Sequence, residues 1–375
     1  MIADSYLGWV ALAVAPGLGA RLAARLLRQF GSPEAIFRAS LTELEACQVP
    51  ADVAQAIHLQ TPLREAEKEL ERVRKLNCSL IHWDEPAYPQ LLRQIYDPPI
   101  LLYVRGQPEL LNRPALAIVG TRRPTPYGNQ MAERLACNLA ARGLVIISGL
   151  ARGVDSSAHR GALLAPGGIT IGVLGCGIDV IYPKENRKLF AQLEERGAMV
   201  TEFPCGTAPT PDRFPVRNRI IAGMSLGVVV VEAAQYSGSL ITARLAMEFN
   251  REVYGVPGNV TQPSSFGPNH LIKQGAKLVT GWEDVVEELP TAVRAALFPV
   301  EEKTPAERAT LFEQSLSETE RALYGLLEAD RARHIDELVE LSGRNSSEVL
   351  ATLFDLEMKG VVRQLPGKQF VRALL

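Results

Sequence analysis

The chain is 375 residues long, and at about 150 residues per domain that length predicts two to three domains. Hydrophobic residues make up 47% and charged residues 22%, the balance of a folded globular protein, which excludes wholesale disorder and collagen-like repeats. Forty Lys and Arg stand against 42 Asp and Glu, a net charge of −2, so there is no global basic field and any polyanion site must be a local patch.

The opening MIADSYLGWVALAVAPGLGARLAARLL has no charged segment ahead of its apolar run, and Pro16 and Gly17 interrupt that run. Neither a signal peptide nor a membrane span is expected. Five cysteines (Cys47, Cys78, Cys137, Cys176, Cys205) occur without a CxxC pair. They point to reduced thiols in a cytoplasmic protein rather than to zinc or a disulfide framework.

Residues 1–75 read as a helical domain of SAM or helix-hairpin-helix type. Ala20, Ala23, Leu26 and Leu27 recur at helical spacing, and Leu63 to Leu76 forms a charged amphipathic helix. In APGLGARLAARLLRQFGSPEAIF a Gly-Leu-Gly hairpin opens a helix that ends at Gly31, and Ser32-Pro33 starts the next. Two readings stand: a hairpin whose amides hold a DNA phosphate, or a plain helical turn packed on a neighbour. Residues 77–112 read as an extended connecting segment that adds an edge strand to the next domain.

From 113 to 288 near-continuous apolar runs alternate with helical stretches. The runs are Ala115–Val119, Leu144–Ile147, Thr170–Leu174, Met199–Phe203, Val228–Val231 and Val253–Val256, and the helices include Tyr127–Arg142, Asn186–Arg196 and Leu240–Arg251. This pattern predicts parallel strands buried on both faces. The fold class is α/β, a Rossmann-like, doubly wound, mostly parallel sheet. Its domain spans 77–288, with a core from 113. Residues 289–314 read as a linker, and 315–375 as a winged helix of three helices and two strands around Pro366-Gly367. The third helix, from Ser346 to Met358, carries Glu348, Asp355 and Glu357 and has no cation before Lys359. Phosphates would repel it, which favours a lid or protein-contact role over duplex reading.

In such sheets ligands bind beyond the carboxyl ends of the strands. Gly120, Thr121 and Arg122 follow the first run there, and Ser148–Asp155 follow the second. Gly175-Cys176-Gly177, Tyr182 and Lys184 follow the third, and a loop ending in Arg213, Phe214, Arg217, Asn218 and Arg219 follows the fourth. Glu232 and then Ser237, Gly238 and Ser239, opening a helix, follow the fifth. Glycines let a ligand approach backbone amides, and the Ser-Gly-Ser helix start suits a phosphate. Arginines supply bidentate phosphate donors, and Phe214 and Tyr182 offer stacking faces. A basic groove interleaved with aromatics suits single-stranded nucleic acid. Asp155 and His159 stand as either a metal pair or a helix-start carboxylate beside a structural histidine. Glu232 stands as either a general acid–base or an ion-pair partner of one of the arginines. No dinucleotide fingerprint, Walker loop, catalytic triad or metal cluster is found, so neither cofactor nor metal is expected.

The segments AIVGTRRPTPYG, SGLARGVDSSAHRGAL, VLGCGIDVIYPKEN, FPVRNRIIAGMS and VVVVEAAQYSGSLITARLAMEFNREVYGVPGNV together resemble the DNA-processing protein A (DprA/Smf) family. The resemblance implies a protein that binds single-stranded DNA taken up in natural transformation, protects it and loads the RecA recombinase. It implies DNA contacts at Arg122, Arg213, Phe214, Arg217, Asn218 and Arg219. It also implies a homodimer formed through the Rossmann-like domain, with no membrane and no catalysis. The alternative is a nucleotide N-glycosidase or phosphoribohydrolase using Glu232 and Arg219, with Ser237–Ser239 holding phosphate; the chain lacks the P-G-G-x-G-T-x-x-E stretch that such an enzyme carries. A winged-helix transcription factor is disfavoured by the acidic third helix.

Overall fold

A computed structural model describes residues 4–298, 316–328, 331–359 and 361–372. The chain divides into two compact units, Met1–Pro299 and Val300–Leu375.

The first unit begins with helices α1 (Leu7–Val14), α2 (Ala20–Phe30), α3 (Pro33–Arg38), α4 (Leu41–Ala46), α5 (Ala51–His58) and α6 (Thr61–Lys75). Local chemistry sets their ends. Gly31 closes α2 in the left-handed region at φ +82°, and the Ser32 hydroxyl accepts from the Ala35 amide to cap α3, which has Pro33 in its first turn. A Cβ on Gly17, in the hairpin before α2, would lie 2.9 Å from Val53 of α5, so this turn is packed on its neighbour. The arginines beyond the hairpin are also engaged: Arg28 lies over Trp83, and Arg21 over Tyr96. The helices join the sheet through a shared core. Trp9 stacks on His82 at 4.4 Å, Tyr6 donates to Glu85 at 2.5 Å, and Glu69 of α6 accepts from the Cys205 amide at 2.6 Å.

The nine-stranded sheet runs in the order β1-β2-β6-β5-β4-β3-β7-β8-β9. Its strands are β1 (Ser79–His82), β2 (Leu101–Gly106), β3 (Ala115–Val119), β4 (Val145–Ser148), β5 (Thr170–Val173), β6 (Ala198–Thr201), β7 (Gly227–Val230), β8 (Glu252–Gly255) and β9 (Lys277–Leu278). β1 pairs antiparallel with β2, and β2 with β6; all other pairings are parallel. The expected connecting segment therefore contributes two strands, with Tyr103 of β2 fully buried. The chain winds from β3 outward to β6, then crosses back to place β7 on the other side of β3. This reversal opens a crevice between the carboxyl ends of β3 and β7.

The intervening helices are α7 (Gln90–Arg93), α8 (Pro126–Ala140), α9 (Val154–Leu164), α10 (Arg187–Arg196), α11 (Arg213–Gly223), α12 (Gly238–Glu248), α13 (Phe266–Lys273), α14 (Trp282–Glu287) and α15 (Thr291–Leu297). Two apolar clusters cover the sheet faces, one including Ala117, Val145, Val173 and Ile220, the other Leu116, Ile118, Leu135 and Val229. Full burial of each Val, Leu or Ile among them contributes roughly 1.5–3 kcal/mol. Residues 289–314 are expected as a linker, and their first part is helical, α15. Leu297 and Phe298 pack against the second cluster, and the stretch after Phe298 lies outside the described residues.

The second unit contains α16 (Glu318–Gly325), α17 (Ile335–Ser342) and α18 (Ser346–Met358), with a sheet in the order β10-β12-β11. Its strands are β10 (Arg333–His334), β11 (Val362–Leu365) and β12 (Gln369–Arg372). This is a winged helix, closed by a core that includes Leu323, Leu338, Leu353 and Phe370.

Candidate nucleic-acid interface

The crevice between β3 and β7 is an open cavity of about 940 Å³. One wall is the turn from β3 to α8. A Cβ on Gly120 would lie 2.7 Å from Val154 Cγ2 and 2.9 Å from the Glu232 carbonyl oxygen, so only glycine fits this close approach. The Thr121 amide donates to that carbonyl at 2.6 Å, which pins the turn and leaves Arg122 and Arg123 exposed. Neither makes an ion pair among the described residues. The Arg122 guanidinium lies 5.2 Å from the centroid of Phe214, and Phe214 stacks with Tyr182 at 5.6 Å and 25°. A cation and two aromatic rings thus line one rim. Tyr182 is 41% exposed, leaving its ring accessible.

The floor is α11, where the sequence predicts a loop ending at Arg219. As a helix it presents Phe214, Arg217, Asn218 and Ile221 to the cavity, the i, i+3, i+4, i+7 face. That periodicity separates the arginines. Arg217 is 5% exposed and donates through Nη1 to the carbonyls of Gly149 (2.6 Å) and Val173 (2.5 Å), and through Nε to Asn218 at 3.2 Å. It ties the ends of β4 and β5 together beneath the site. Burial lowers its pKa against the opposing pull of nearby Asp155, and a guanidinium stays protonated regardless. Arg219 turns away from the cavity. It is buried between Asp97 (3.2 Å) and Glu202 (2.7 Å), whose charges raise its pKa. Arg213 also turns away: it donates to the Ala208 carbonyl and lies 5.8 Å from the Phe203 ring. Lys184 is exposed ahead of α10 and outside the cavity lining. The expectation of Arg213 and Arg219 as phosphate donors is therefore corrected. One is turned aside, the other neutralised, because helical geometry and not sequence adjacency decides which side chains share a face.

The far wall is the start of α12. Ser237 Oγ accepts from the Ser239 amide at 3.4 Å, and the two hydroxyls lie 2.8 Å apart. Asn218 donates to the Gly238 carbonyl at 3.2 Å and couples this wall to the floor. Nothing would meet a Cβ on Gly238, so this turn borders open space.

The side chains read with alternatives are held by neighbours within the fold. Glu232 is not paired with an arginine: its carboxylate accepts from the Thr125 amide (2.8 Å) and hydroxyl (2.6 Å). Asp155 accepts from the amides of Gly149 (3.1 Å) and Ala151 (3.4 Å), while His159 is buried against Thr170 at 2.6 Å. No group of three or more potential metal ligands occurs among the described residues. Arg123, Gln235, Tyr236, Thr242 and Phe266 line the cavity without having been singled out from sequence. Of these, Arg123 was legible as the second cation of the same turn.

No helix among the described residues is long and apolar enough to cross a membrane. The described cysteines are free thiols. Residues 79–290 match the family described as DNA recombination-mediator protein A, and residues 304–368 match the DprA winged helix domain. Protein Smf of Escherichia coli is 38% identical over 82% of this chain and 81% of its own. The X-ray structure of DNA processing protein A from Streptococcus pneumoniae superposes with a TM-score of 0.69 at 35% identity, covering 76% of this chain and 98% of that one. DNA processing protein A from Helicobacter pylori, whose single-stranded DNA binding mode has been described structurally, superposes with a TM-score of 0.51 at 34% identity over 56% of this chain and 94% of that one. The chain belongs to the DprA/Smf family of DNA recombination-mediator proteins.

Proposed function

We propose that the crevice between β3 and β7 binds single-stranded DNA, and that the protein is a cytoplasmic recombination mediator. In this reading it protects DNA taken up in natural transformation and loads the RecA recombinase onto it, acting as a homodimer through its Rossmann-like domain. The observation that carries the reading is the set of exposed Arg122, half-buried Phe214 and exposed Tyr182 lining a 940 Å³ crevice. A guanidinium takes a phosphate and the rings take bases, the pairing that sequence-tolerant strand binding requires. The single-stranded DNA binding of the Helicobacter pylori relative supports it. A nucleotide hydrolase would need Glu232 and Arg219 free to act, and both are committed within the fold.

The test is a titration of labelled single- and double-stranded oligonucleotides at several salt concentrations. Single strands are expected to bind more tightly, with affinity falling as salt rises. Arg122→Ala is expected to weaken that binding. Equal or tighter binding of duplex, or an Arg122→Ala variant of unchanged affinity, overturns the reading. RecA filament growth on protein-coated single strands, with and without the mediator, tests the loading step.

A further inference from the structure

We propose a second base-stacking platform in the crevice, built from Phe266 and Tyr236; it rests on the single-strand reading above. Phe266 opens α13 and lines the cavity, yet it remains 42% exposed. One face of its ring is covered by His270, at 5.5 Å between centroids and 12° between planes. This backing leaves the ring oriented and its other face available. Tyr236, in the loop that leads into α12, is 92% exposed and lines the same cavity. Two exposed rings that line one cavity offer stacking faces to whatever enters it.

The cavity volume points the same way. About 940 Å³ lies at the top of the range of roughly 300–1,000 Å³ that encloses whole small ligands. A single base stacked at Phe214 leaves much of that space unfilled. The crevice thus holds Phe266 and Tyr236 besides Phe214 and Tyr182, and an unpaired strand supplies successive bases to such rings. The platform assigns base contacts to Phe266 and Tyr236, with His270 as a positioning residue behind Phe266.

The experiment measures affinity of the full chain for oligothymidylates of increasing length, from about 4 to about 16 nucleotides. Wild type, Phe266→Leu, Phe266→Trp and Arg122→Ala are compared. Leucine keeps apolar bulk and removes the π face, and the site is exposed enough that folding is expected to be unaffected. The expected result is a ratio of wild-type to Phe266→Leu affinity that grows with length to between about fivefold and about a hundredfold, with tryptophan restoring wild-type behaviour. For Arg122→Ala the ratio is expected to be present already at the shortest length that binds. A Phe266→Leu ratio of one at every length, or a tryptophan variant no better than leucine, overturns the second platform while leaving the first intact. Failure of wild type to bind any oligonucleotide overturns both.

Discussion

The guanidinium of Arg122 lies over the ring of Phe214, 5.2 Å from its centroid, although the two residues come from separate elements of the fold. The contact joins the turn after β3 to the first turn of α11. In the proposed reading it would hold a phosphate donor and a base-stacking ring in fixed relation before any ligand arrives, which lowers the ordering cost of binding. The two side chains are expected to fail in different ways. Phe214→Ala should weaken single-strand binding by about fivefold to a hundredfold, from about 1–3 kcal/mol of stacking per base, and leave its salt dependence unchanged. Arg122→Ala should weaken binding and also flatten the slope of log affinity against log salt by about 0.7, the value of one phosphate contact on a single strand. Titrations of both variants at several salt concentrations separate the two effects, and identical slopes would show that Arg122 touches no phosphate.

Arg219 provides the contrasting case. It is buried between Asp97 and Glu202, so its role is to neutralise two carboxylates inside the fold. Removing one partner of such a buried set strands the others, and Arg219→Ala is expected to lower folding stability by about 3–5 kcal/mol. Urea unfolding checks this. The fraction that remains folded should bind single strands as wild type does. A stable Arg219→Ala protein with weakened binding would return Arg219 to the site.

These two arginines show how far the sequence alone could be read. The strand runs were legible because a parallel strand buried on both faces leaves an uninterrupted apolar signature, and β3 lies where its run predicted. Gly120, Arg122 and Ser237–Ser239 were legible because strand ends and helix starts locate a ligand edge without knowledge of packing. The sorting of Arg213, Arg217 and Arg219 was not. With Pro215 inside it, the segment reads as a loop, and in a loop all three would appear equally available. Proline is tolerated in the first turn of a helix, and α11 starts at Arg213, only two residues earlier. From there the 3.6-residue period distributes the arginines to different faces. Phe266 was illegible for another reason: its role depends on the crevice that brings α13 beside α12, not on any local motif.

His159 carries a pH dependence that is independent of DNA. Thr170 donates its hydroxyl hydrogen to the Ile146 carbonyl at 2.6 Å, so it accepts from His159, which fixes the proton on Nδ1. Burial lowers the imidazole pKa from 6.5 to about 3, and nearby Arg217 and Arg160 act in the same direction. Between those values the unfolded chain binds a proton that the folded chain does not. The contribution to stability is therefore complete above about pH 6.5 and is lost as the pH falls towards 3. From pH 7 to 5 the wild type should lose about 2 kcal/mol relative to His159→Gln, measured by urea unfolding at each pH. A constant difference between the two proteins would mean that His159 charges freely in the native state.

The winged helix makes the last prediction, and it concerns duplex DNA. In duplex readers of this architecture the third helix enters the major groove, where phosphates on both sides select for cationic side chains. The exposed stripe of α18 is instead apolar: Leu350 is 52%, Phe354 61% and Met358 74% exposed. Asp355 is exposed nearby, and Glu348 is engaged with Arg344. Neither set of side chains offers a donor to a phosphate. Removing Val300–Leu375, which forms its own compact unit, should therefore leave the affinity of Met1–Pro299 for single strands within a factor of about two and should not reduce duplex binding. Charge reversal probes the same surface in the full chain. Phe354→Lys with Asp355→Lys adds two cations to the stripe and should raise duplex affinity, because each new phosphate contact releases a counterion. If the truncated protein loses duplex binding that the full chain possesses, α18 or the wing reads DNA despite its charge, and the repulsion argument fails.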